Sequence, residues 1–65
     1  MTTNNKEVEK IIAIAKKLHL TSEDLAIEAA CVDEYGEWEH MSLLGYSAED
    51  LVNAADTLAK AEEEK

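Results

Sequence analysis

Asp33-Glu34-Tyr35-Gly36-Glu37-Trp38-Glu39-His40-Met41-Ser42-Leu43-Leu44-Gly45-Tyr46 divides this chain of 65 residues and holds both of its glycines and all three of its aromatic residues. Glycine tolerates the left-handed backbone that ends a helix, so Gly36 and Gly45 read as two breaks. Between them, residues 37–44 are long enough for a short helix, with Trp38 and Met41 three apart. Leu43, Leu44 and Tyr46 are apolar enough to lock the junction onto a core. With this stretch as a junction, the flanks become separate helices and the fold is all-α.

Upstream of the junction, Leu25, Ala29 and Val32 line one face of a helix over 22–34, and Ile27, Ala30 and Cys31 lie on its other side. A helix apolar over much of its circumference is expected at the centre of a bundle, with two contacting neighbours. Thr21 is its cap, with Asp24 at the capping-box position. Further upstream, Val8, Ile11, Ile12, Ala15 and Leu18 recur at helical spacing over 5–18, with Ile14 on the flank. Asn4 or Asn5 caps that helix, and Lys16 and Lys17 suit its negative end. Downstream, Ser47 caps a last helix over 48–62 whose stripe is Leu51, Val52, Ala55, Leu58 and Ala59. Glu62-Glu63-Glu64-Lys65 is its frayed end, because carboxylates oppose the dipole there. The expected architecture is a compact all-α bundle of three main helices, about 5–18, 22–34 and 48–62, plus a short helix at about 37–44. It is one helical domain, 1–65, with 1–4 and 63–65 frayed.

A chain this short buries only ~60% of the surface its unfolded form exposes, so its core is marginal. There is no Phe or Pro, and the single Cys31 permits neither an internal disulfide nor a cysteine pair for zinc. Oligomerisation, a homodimer for example, or a bound partner would supply further burial. No apolar run approaches the ~20 residues of a membrane span, and Met1–Asn5 lacks the pattern of a secretory signal. The expectation is a soluble, intracellular (cytoplasmic) protein with no membrane association.

Charge discriminates most between functions. The formal net charge is −9, and from Leu18 to Ala59 there are ten acids and no Lys or Arg. All six bases are Lys. Nucleic-acid affinity comes from neutralising phosphates, often with Arg, so direct nucleic-acid binding is not expected. A basic protein surface is the complementary partner.

Three catalytic or metal readings fall short. Glu37-x-x-His40 would put a carboxylate and an imidazole on one helix face, but di-iron bundles use that pair twice, with two further Glu. The bland alternative is an exposed histidine in an acidic helix. Cys31 with His40 or His19 lacks a third orienting group, and a cysteine in an apolar helix is usually an inert small hydrophobe. A calcium loop counted from Asp33 needs glycine at its sixth position, which is Trp38. No catalytic residue, metal or cofactor is expected, and no enzyme activity.

From Leu20 to Leu58 the spacing resembles the lambda-repressor-type helix-turn-helix family. Leu20-Thr21-Ser22-Glu23-Asp24-Leu25-Ala26 matches the start of its first motif helix, and Ser47-Ala48-Glu49-Asp50-Leu51 with Ala54-Ala55 and Leu58 matches a later one. The resemblance implies a regulator or a dimerisation module. Where that family carries a polar and basic recognition helix, this chain has Asp33-Glu34-Tyr35-Gly36-Glu37-Trp38-Glu39, so DNA reading would not be retained.

The function expected is a small acidic protein-binding module. It would be an inhibitor or adaptor that covers a basic surface of a partner protein, such as a nucleic-acid-binding one, as a DNA mimic does. In size and charge the chain is similar to small phage-encoded antagonists of host systems. The partner-binding residues expected are Asp33, Glu34, Tyr35, Glu37, Trp38 and Glu39. Tyr35 and Trp38 are either core residues or surface anchors inside a charged rim, an arrangement common at binding hot spots.

Overall fold

The computed structural model of the chain describes residues 5–63. It is an all-α bundle of three helices, α1 (Asn5–Leu18), α2 (Ser22–Tyr35) and α3 (Ala48–Glu63), with a 3-10 turn at Met41–Leu43. The caps explain the boundaries. In α1, Ile11 and Ala15 are buried while Leu18, the last of the stripe, is 40% exposed. Its end is a Schellman motif, with the Leu20 amide donating to the Ala15 carbonyl (2.7 Å) and the His19 amide to that of Lys16 (3.3 Å). That motif holds His19 at φ 63.

The α2 capping box forms as expected: Thr21 Oγ1 accepts from the Asp24 amide (3.2 Å), and the Asp24 carboxylate accepts from the Thr21 amide (3.0 Å). Gly36, at φ 65, ends the helix and donates its amide to the Val32 carbonyl. Ser47 Oγ accepts from the Asp50 amide at the start of α3 (3.2 Å). The cap expected from Asn4 or Asn5 and the fraying expected at 1–4, 64 and 65 lie outside what the structure describes.

α3, not α2, is the central helix: it packs against both α1 and α2, while α1 and α2 scarcely meet. Leu51, Ala54, Ala55 and Leu58 of α3 are buried together with Ile11, Ala15, Leu25, Ala29 and Leu43. The expectation that α2 sits between two helices is therefore corrected. α2 has one helical neighbour, and on another side it carries the connection that follows Gly36. α2 and α3 run antiparallel, tied at one end by Glu62, whose carboxylate accepts from the Ser22 hydroxyl (2.8 Å) and the Ser22 amide (3.1 Å). Glu62 was expected in a frayed tail; it instead serves the amide-rich end of the neighbouring helix, where a carboxylate is favoured.

The short helix expected over 37–44 is confined to Met41–Leu43. Leu43 is buried as expected, but Leu44, expected to face inward, is 56% exposed. Val52 on α3, also placed in the buried stripe, is 46% exposed. Among the described residues no helix is long and apolar enough to cross a membrane.

Candidate functional site

Glu28 organises the junction. It sits on the apolar stripe of α2 between Leu25, Ala29 and Val32, and its side chain has no exposed surface. One carboxylate oxygen, Oε2, accepts the backbone amides of Glu39 (2.7 Å) and His40 (3.0 Å). The other, Oε1, lies 2.7 Å from His40 Nδ1. A carboxylate only accepts, so Nδ1 carries a proton, in the Nδ1–H tautomer or the imidazolium. Residues 36–40 therefore double back along α2 and are pinned to it. This also explains why they are not helical, since the amides of Glu39 and His40 are committed to Glu28.

Trp38 closes the same loop. Its indole Nε1–H donates to the Tyr46 carbonyl (2.9 Å), and both side chains pack, half-buried, against the core. The sequence left Trp38 open between core and anchor; the fold uses it as core. Tyr35, in contrast, is 70% exposed at the last turn of α2. Asp33, Glu34, Glu37 and Glu39 are exposed around it in sequence. Five of the six expected partner-binding residues thus lie at the surface, and Trp38 does not stand out from it.

His40 corrects another expectation. It is neither an exposed histidine in a helix nor paired with Glu37; its side chain is 36% exposed and its ring faces Glu28. Cys31 is half-buried and donates to Glu39 Oε2 (3.4 Å). Partial desolvation, then the hydrogen bond to Glu39 and the field of Glu39, Glu28 and Glu34, push its thiol above the ordinary cysteine range. That favours the unreactive thiol over the thiolate a nucleophile needs. Among the described residues no group of three His, Cys, Asp or Glu is placed to hold a metal ion.

Glu28 was missed in the sequence. The signal was an acid between Leu25, Ala29 and Val32 on a stripe that must be buried. A buried carboxylate demands donors, and His40 with the adjoining amides supplies them.

No recognition helix follows α2. It runs unbroken from Ser22 to Tyr35, and the residues after Gly36 form the pinned loop. No family model, no curated protein and no solved structure matches this chain.

A second surface feature lies between α2 and α3. A cleft of about 510 Å³ is floored by Ala26, Ala29, Ala30, Ala48, Val52 and Ala55 and bordered by Asp33, Glu49 and Asp56. Asp33 belongs both to this border and to the acidic junction.

Proposed function

We propose that the chain is a small acidic protein-binding module, an inhibitor or adaptor that covers a basic surface of a partner protein inside the cell. One observation carries the reading: from Leu18 to Ala59 the chain has ten acids and no Lys or Arg, and among the described residues the one basic side chain in contact with a carboxylate is His40, beside Glu28. Among the described residues, the other carboxylates of that interval have no cation against them. Such a field attracts basic partners and repels nucleic acid. The mechanism is occupation: carboxylates held on a folded scaffold take the place of the phosphates or acidic peptides that the partner's surface otherwise receives.

The test is a salt titration of binding to a panel of purified nucleic-acid-binding enzymes. Affinity is expected to fall steeply between 50 and 500 mM NaCl, as it does where released counterions drive association. The combined variant Glu34→Gln, Glu37→Gln, Glu39→Gln should weaken the complex while circular dichroism stays helical. Binding indifferent to ionic strength would reject the reading. A gel shift at low salt separates it from a helix-turn-helix-like regulator, which would retard a DNA duplex by itself.

A further inference from the structure

The acidic-module reading puts a partner near the acidic junction by charge alone, and the cleft beside it adds an apolar surface that charge does not account for. α2 is apolar over much of its circumference, yet among the described residues it packs closely on only one helix, α3. Its side bearing Ala26 and Ala30 is left uncovered, and both residues are exposed. Across from them α3 presents Ala48 and the half-exposed Val52. The cleft is therefore a shallow apolar trough with none of the described residues lying in it. Its floor is mostly alanine, which lets a third helix approach to the ~8–10 Å axis separation of packed helices.

The border decides the occupant. Asp33, Glu49 and Asp56 edge the trough, and none of them has a salt-bridge partner among the described residues. A second copy of the chain would bring the same three acids against these in a two-fold contact, and a net charge of −9 against −9. A helix whose apolar ridge is flanked by Lys or Arg meets both the floor and the border. From Ala26 to Asp33 the trough spans about two helical turns, roughly 10 Å at 1.5 Å per residue. We propose that the α2–α3 trough is the docking site for a basic amphipathic helix of a partner protein. The inference rests on the acidic-module reading and gives it a place. The apolar ridge of the incoming helix packs on Ala26, Ala30 and Val52, and its flanking cations pair with Asp33, Glu49 and Asp56.

The test uses the full chain and a fluorescein-labelled peptide of about 18 residues built from Leu, Ala and Lys, long enough to overrun the two-turn trough. One version places Leu and Ala on one helical face with Lys along both flanks; the other scrambles the same composition. Fluorescence anisotropy at 50 mM NaCl should show the amphipathic peptide bound at least ten-fold more tightly. Two variants then separate docking from general attraction. Ala30→Leu fills the floor without changing charge and should weaken binding at least five-fold. Val52→Glu adds an acid, so pure electrostatics makes it bind the peptide more tightly, whereas docking in the trough makes it bind more weakly. Circular dichroism checks that both variants fold; each position is exposed, so neither disturbs the core. Wild-type affinity in Ala30→Leu, or tighter binding in Val52→Glu, overturns the proposal. If only the Glu34, Glu37, Glu39 triple Gln variant weakens binding, the trough is rejected and the acidic-module reading stands. Equal binding of both peptides also rejects the trough. A self-associated species in sedimentation that Ala30→Leu abolishes would assign the trough to a second copy, again overturning the proposal.

Discussion

Glu28, His40 and the amide of Glu39 form a closed set in which the acceptors of a fully buried carboxylate are matched by donors within 2.7–3.0 Å. Removing the acceptor strands the donors, and each stranded group costs ~1–3 kcal/mol. Glu28→Ala should therefore lose about 3 kcal/mol, because water at the loop relieves part of the cost. A chain of this length has only about 3–10 kcal/mol in total. Glu28→Gln should lose only about 1 kcal/mol, the difference between a charge-assisted and a neutral set. In that variant the amide oxygen must face the two backbone amides, leaving its NH2 to face His40 Nδ1. The ring must then move its proton to Nε2. Ring nitrogen shifts in NMR at pH 8 should show Nδ1–H in the parent and Nε2–H in Glu28→Gln; an unchanged tautomer would contradict the geometry. His19 and Gly36 supply a second comparison, since they share a backbone conformation at φ 63 and 65. A left-handed non-glycine residue costs ~1–2 kcal/mol, offset in part by the extra freedom glycine has when unfolded. His19→Gly should gain about 0.5–1 kcal/mol. Gly36→Ala should lose about 1 kcal/mol from backbone strain alone, as an added Cβ there meets nothing within 4 Å. Thermal melts read both, at ~4–8 °C per kcal/mol in a domain this size. Cys31 should be alkylated by iodoacetamide at pH 7.5 more slowly than glutathione. Glu39→Gln should quicken it, because the neighbouring charge and hydrogen bond that hold the thiol protonated are removed.

Helices were legible where their signals are local. The Thr21–Asp24 box, Ser47 and Gly36 each act within four residues, and the observed ends of α1, α2 and α3 fall within a residue of the expected ones. What was not legible depends on partners distant in sequence. Glu28 takes the amides of residues 39 and 40, eleven and twelve positions away, and that commitment dissolves the helix expected at 37–44. Which helix is central was also hidden. The apolar circumference of α2 suggests two covered sides, and only the packed fold shows that one is left to solvent. Of the candidate site, the exposed acids followed from composition, Tyr35 stayed open between core and surface until the fold exposed it, and the trough needed α2 and α3 side by side. The Glu62–Ser22 tie belongs to the same class, since forty positions separate its ends. It works as a cap supplied by another element, so Glu62→Ala should cost about 0.5–1 kcal/mol, as loss of a capping side chain does. Its signature is local. Amide exchange should quicken in the first turn of α2 and in the last turn of α3, while Glu63→Ala, with no such contact, should leave both unchanged. Equal effects from the two variants would mean that general charge, not the tie, holds these ends together.

At the scale of the whole molecule, the same charge that suits a basic partner works against the fold. The chain measures 33 × 28 × 18 Å, and at 10 mM salt the screening length of ~30 Å spans it, so each carboxylate feels nearly every other. At 150 mM the length falls to ~8 Å and only neighbours interact. With a net charge of −9, the repulsion removed by salt should outweigh the attraction removed, because among the described residues the one contact between a carboxylate and a basic side chain is Glu28–His40, and its buried carboxylate is weakly screened. Raising NaCl from 10 to 150 mM should then lift the melting temperature by several degrees, equivalent to about 1 kcal/mol. A melting temperature that falls over this range would show that favourable fields, the helix dipoles and the α1 lysines, dominate instead. The direction matters for the function as well. Salt should strengthen the fold and weaken the complex with a basic partner, so the two quantities move oppositely across one titration. Loss of binding at high salt then cannot come from unfolding. Measuring the melting temperature in the same buffers as the affinity turns the salt dependence into a direct reading of the contact between charges.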